Sequence, residues 1–168
     1  MTVYRALDVA DYIVHYCIET GKNISHLKLQ KILYFLEAHY LVNDSTLFTD
    51  DISKWRLGPV VESVYHEYKE FGSNNIKYIP NRISIDDTGK VSVSSFNVDI
   101  IDEHDKNVIN TIVDKYSSIG PFILVNATHE HTPWKEDEPN INNGVKGLYY
   151  NKTELRDFFI KHPNSFEV

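Results

Sequence analysis

A chain of 168 residues can bury about two-thirds of its unfolded surface without a metal or disulfide staple. Its 42% hydrophobic and 24% charged content excludes a disordered tail. A formal net charge of −7 repels nucleic acid at long range, so phosphate contact would need a local basic patch that the sequence does not obviously supply.

The single cysteine excludes an intramolecular disulfide, and Cys17 falls where a helix should be apolar, which points to a reducing compartment. Arg5, Asp8, Asp11, His15 and Glu19 interrupt any apolar leader or membrane span near the start. The expectation is a cytoplasmic protein with one domain over residues 1–168 and no membrane partner.

Val9, Tyr12, Ile13, Tyr16 and Cys17 recur at the spacing of an amphipathic helix over 8–20, with Gly21 as its stop. The next helix is the organising one. Residues 26–42 are apolar on nearly every side, which requires a place inside the fold, and Ser25 supplies a hydroxyl cap. Its polar residues His26, Gln30 and Glu37 share one stripe, while Lys28 and Lys31 leave in other directions. On a mostly buried helix those lysines are expected to extend their stems so that the ammonium groups reach carboxylates.

Asn43–Asp51 is turn-like, and Ile52–Leu57 alternates as a short strand. Gly58-Pro59 punctuates sharply. A proline lacking an N–H suits the first position of a helix, so the spacing predicts that the strand turns there into a helix with Val60, Val61, Val64, Tyr65 and Tyr68 as its stripe. Gly72 ends it.

From Ile76 to Val98 the period becomes two. Ile83, Ile85, Val91 and Val93 flank Asp86-Asp-Thr-Gly89, the pattern of a β-hairpin, which two strands alone would leave marginal in water. It is therefore expected to lean on the helices or pair near Trp55. Asp102 and Asp105 open a helix faced by Val108, Ile109, Ile112, Val113 and Tyr116. Gly120-Pro121 starts another, running to about Glu130. His131-Thr-Pro-Trp134 leads into an acidic, Asn-rich loop through Asn143, and a last helix runs from about 152 to 161 on Leu155, Phe158 and Phe159. The fold class is mainly α (α+β): one compact helical domain around a central buried helix, with a small antiparallel hairpin or sheet.

Motifs for chemistry are sparse. The chain lacks a Gly-rich phosphate loop, a cysteine pair for zinc, a His-Glu-x-x-His and a nucleophile elbow. His129-Glu-His131 with Glu136, Asp137 and Glu138 is the most metal-like cluster. Imidazoles two residues apart share a side in a strand but not at a helix end, so a local role for His129 in ordering the Pro133-Trp134 turn is the simpler expectation. No metal and no cofactor are expected. Trp55 is a core residue or, if exposed beside Arg56, an anchor of the kind that dominates interfaces.

Three blocks carry a resemblance. Leu27-Lys-Leu-Gln-Lys-Ile-Leu-Tyr34, then Leu47-Phe48 with Ile52-Ser-Lys-Trp-Arg-Leu-Gly-Pro-Val-Val61 and Tyr65, then Thr128-His-Glu-His-Thr-Pro133-Trp134 with Ile141, resemble the Panacea domain. Its members are SocA-like antitoxins and phage-associated GepA-like proteins. Leu57 stands where an aromatic residue is frequent in that family, and the hairpin at 83–93 is a variable part.

The resemblance implies a mostly helical, non-enzymatic binding module that neutralises a cognate toxin by direct contact, or as an adaptor delivering it to a protease unfoldase. A phage- or prophage-encoded inhibitor of a host defence effector is the alternative of the same kind. Lys28, Lys31, Trp55 and Arg56 are the candidate partner-binding residues, and Gly58, Pro59, His129, Pro133 and Trp134 the candidate structural motif. Two other classes stay open. One is a metal-dependent enzyme at His129/His131, and the other a DNA-binding autorepressor reading with helices near Gly58-Pro59 and the hairpin, which the acidic balance opposes.

Overall fold

The computed structural model describes residues 2–168. Its centre is helix α2, His26–Val42, in which all residues but Leu27, His39 and Val42 are buried. Ser25 Oγ caps it by accepting the Lys28 N–H at 3.3 Å. Helices α1 (Ala6–Glu19), α4 (Glu103–Ser117), α5 (Pro121–Glu130) and α8 (Lys152–Lys161) pack around α2, so the fold is mainly α. Phe35 at its middle stacks on Tyr116 of α4, with ring centroids 4.5 Å apart.

A helix buried on every side needs partners for each polar group it carries. Glu37 meets this need by accepting the N–H of Leu47 at 2.9 Å and of Phe48 at 3.3 Å. It also bonds Thr46 Oγ1 and pairs with Lys152 Nζ at 2.9 Å. The segment after α2 is thereby drawn in, and Leu47 and Phe48 become core residues bridged to Tyr4.

Four expectations are corrected. Gly58-Pro59 does not open a helix: β1 (Ser53–Trp55) and β2 (Gly58–Val60) form an antiparallel pair, and α3 (Glu62–Tyr68) begins after Val61. Gly58, at φ +88, turns the chain back, and proline is tolerated because a two-stranded ladder has only edge strands. Val60 and Val61 are therefore buried strand and cap residues, leaving Val64 and Tyr68 as the buried face of α3. The loop after Trp134 contains two short helices, α6 (Thr132–Lys135) and α7 (Glu138–Asn142), each with a proline in its first turn. The second hairpin, β3 (Arg82–Ile85) with β4 (Val91–Ser94), is a separate sheet, and its apolar residues are neither covered by helices nor paired near Trp55. Finally, the ammonium groups of Lys28 and Lys31 reach backbone carbonyls instead of carboxylates.

Among the described residues, no helix is long and apolar enough to cross a membrane.

Candidate partner-binding site

The three sequence blocks converge on one junction, where the β1–β2 hairpin lies between α2 and the α5–α6 corner. Gln30 of α2 treats Val61 as a strand would: its Oε1 accepts the Val61 N–H at 2.7 Å and its Nε2 donates to the Val61 carbonyl at 3.2 Å. The next residue, Lys31, donates from Nζ to the Pro59 carbonyl at 3.0 Å. Because Lys31 has no exposed surface, burial draws its pKa down to about 7.

Gly58 sits between this lysine and α5. A Cβ there would lie 2.6 Å from Thr128 Oγ1 and 3.2 Å from Lys31 Cε, so any side chain would push the hairpin off the helices. On the far side, Trp134 donates its indole N–H to the Trp55 carbonyl at 2.9 Å. The His129 ring lies flat on Trp134 with centroids 3.8 Å apart and planes 11° apart. Burial lowers the His129 pKa, partly offset by the nearby Arg56 backbone. Lys54 Nζ reaches Asp137 Oδ2 at 2.7 Å, and Arg56 Nη2 reaches the Asn142 carbonyl at 3.0 Å; these contacts tie the hairpin to α7.

Lys31, Gly58, Pro59, Thr128 and Trp134 are buried and build the platform. Lys28 is buried too, with its ammonium on the Ser117 carbonyl at 2.6 Å. At the Lys28–Lys31 end each ammonium is held by a backbone carbonyl of a neighbouring segment, and Lys31 has no exposed surface. The Trp55–Arg56 end is different. Arg56 and Leu57 form the exposed turn of the hairpin, and half-buried Trp55 meets Tyr65 edge-to-face at 4.8 Å.

Beside that turn lies an open cleft of about 490 Å³ whose walls include His26, Trp55, Leu57, Tyr65 and Phe122. Phe122 and Ile123 of α5 extend the apolar rim into solvent, with 62% and 57% of their surface exposed. The sequence places Phe122 in a helix, and the signal of its exposure is the pair of bulky apolar residues directly after the N-terminal proline. Gln30 was visible as polar in an apolar run, but its partner lies 31 residues away.

His129 and His131 do not converge. His131 Nδ1 is instead hydrogen-bonded to Tyr34 OH at 2.8 Å inside the core, and burial lowers its pKa to about 4. Among the described residues, Asp102, His104 and Asp105 are the group of three close enough to share an ion. Asp102 already caps α4, and Asp105 accepts Tyr4 OH at 2.8 Å and Tyr40 OH at 2.6 Å.

The arrangement is a helical body presenting an exposed turn, Arg56-Leu57 beside Trp55, next to a cleft walled largely by apolar and aromatic side chains. The chain belongs to the antitoxin SocA-like, Panacea domain family, which matches residues 29–135. That stretch contains Lys31, the whole β1–β2 hairpin, His129, Pro133 and Trp134; α1 and α8, which complete the packing around α2, lie outside it. The family is one of antitoxins, whose counterpart is a toxin. Neither the curated proteins nor the solved structures yield a match.

Proposed function

We propose that this protein neutralises a toxin encoded beside it by direct contact, with Trp55, Arg56 and Leu57 and the adjoining cleft as the contact surface and no reaction of its own. The observation that carries the reading is the placement of family-matched residues. The buried ones lock the β1–β2 hairpin at a fixed angle, and the outcome of that locking is an exposed turn beside an apolar cleft. A binding surface held by rigid elements loses little freedom on association.

Arg56 suits the centre of such an interface because a guanidinium can stack and donate several hydrogen bonds at once. An acidic chain also favours a partner with a basic face, which speeds encounter at low salt. Were the protein phage- or prophage-encoded, a host defence effector would be met by the same surface. Acting as an adaptor for an unfoldase would use it as well, with a second surface left over for the protease.

Co-expression with the product of the adjacent gene tests the reading. Wild type and a His129→Ala/His131→Asn variant that still folds are expected to rescue growth, and Arg56→Glu with Leu57→Asp to fail while remaining folded. Failure confined to the histidine variant, together with turnover of a toxin substrate or product, would replace the binding module with an enzyme.

A further inference from the structure

The β3–β4 hairpin stands away from the body: every residue from 83 to 95 is exposed. The register Ile83↔Val93 and Ile85↔Val91 puts four β-branched side chains on one face, because directly paired residues and residues two apart share a side. These four are 59–71% exposed. Together they leave roughly 400 Å² of contiguous apolar surface in water, the size of the largest and often functional patch on a monomer.

The root of this arm is fixed. Arg82 Nη2 donates to both oxygens of buried Asp11, at 2.7 and 2.6 Å, and Tyr68 OH donates to the same carboxylate at 2.7 Å. The opposite face carries Ser84, Ser92 and Ser94, so only one side of the arm is apolar.

Next to the root is a second cleft, of about 380 Å³, lined by His66, Glu67, Glu70, Phe71, Tyr78 and Pro80. Phe71 and Tyr78 meet edge-to-face at 5.0 Å. Glu67 lies 3.7 Å from Arg82, and among the described residues Glu70 has no ion-pair partner. Two carboxylates lining one cleft with two aromatic rings offer a seat for a cationic side chain. This cleft and the Trp55 cleft flank the same segment, Tyr65 and Lys69 facing one and His66, Glu67 and Glu70 the other. The two surfaces therefore continue into each other around α3.

We infer that the β3–β4 arm is a second docking element for the neutralised protein, its apolar face covering an apolar strip on that partner while the Glu67–Glu70 cleft takes an Arg or Lys beside the strip. The inference rests on the reading of the protein as a neutralising binder. Charge selects this occupant over a second copy of the chain. Each copy carries −7, and the arm's tip is Asp86-Asp87, so face-to-face arms would bring like charges together, whereas a basic partner gains from both.

The test measures affinity of the purified protein for the adjacent gene's product, using wild type, Ile83→Thr/Val93→Thr and Glu70→Arg. Threonine keeps the strand propensity of the arm while removing its apolar character, and urea midpoints check that each variant folds. The expected result is about 100-fold weaker binding for the double threonine variant and about 10-fold for Glu70→Arg, with growth rescue reduced in the same order. Wild-type affinity in the threonine variant overturns the arm's role and leaves the binding reading standing. A wild-type dimer that the threonine variant converts to a monomer, with partner affinity unchanged, assigns the arm to a second copy and also overturns it. No binding and no rescue by wild type defeats the underlying reading itself.

Discussion

The indole N–H of Trp134 donates to the main-chain carbonyl of Trp55 across 2.9 Å. Residues 79 positions apart are thus joined, and the bond ties the closing motif of the chain to the hairpin whose turn faces solvent. Trp134 is itself only 2% exposed, so its role is to hold Trp55 in place. Trp134→Ala is expected to cost on the order of 3–5 kcal/mol by truncating a buried aromatic. Trp134→Phe keeps most of the packing and should cost nearer 1 kcal/mol through the lost hydrogen bond. Urea unfolding of both variants checks the ordering; equal losses would mean that the lost hydrogen bond, not the packing of the ring, accounts for the cost.

Gly58→Ala is expected to destabilise by about 1–3 kcal/mol, because the φ of +88 strains an L side chain and the new methyl collides with Thr128 Oγ1. Gly21 supplies the control. It also has a positive φ, +69, but no neighbour within 4 Å of an added Cβ, so Gly21→Ala should show the strain alone, about 1 kcal/mol. The difference between the two midpoints measures the close approach of the hairpin to α5.

Stability should rise with pH in two windows. Burial lowers the folded-state pKa of His26 and His131 from 6.5 to about 4. The native state then binds fewer protons than the unfolded chain between those values, and stability falls as pH drops from 6.5 towards 4. Lys31 follows the same sign higher up. Its pKa is lowered from 10.5 to about 7, so stability should increase from pH 7 towards 10.5. Lys31→Met is expected to flatten that upper rise and leave the lower one intact, as read from urea midpoints at pH 5, 7 and 9. Lys31→Glu, by contrast, should fail to fold rather than weaken a contact, since it buries a carboxylate against the Pro59 carbonyl.

The sequence carried the long helices well. The all-round apolarity of 26–42, the cap at Ser25 and the stripe of Leu155, Phe158 and Phe159 each state a burial that a single segment dictates. Pro59 misled because a proline after glycine fits a helix start and a hairpin return equally. What decided between them was the Gln30 side chain, which offers a donor and an acceptor to Val61 from across the fold. Helices α6 and α7 are too short to display a period. The lysines could not be located by type: Lys31 is long enough to reach water, yet Gly58 and Thr128 close over it. Arm residues Ile83 to Val93 were legible as a hairpin, whereas their exposure depends on a neighbour that never arrives within the chain.

The measurement that bears most directly on the account is a titration of the toxin's activity with purified protein at concentrations well above the dissociation constant. Inhibition by contact predicts a linear fall with a sharp end point at a fixed molar ratio, and recovery of activity when the complex is dissociated. Full inhibition at a small fraction of that ratio, growing with time and surviving removal of the protein, would show turnover and contradict a binding module.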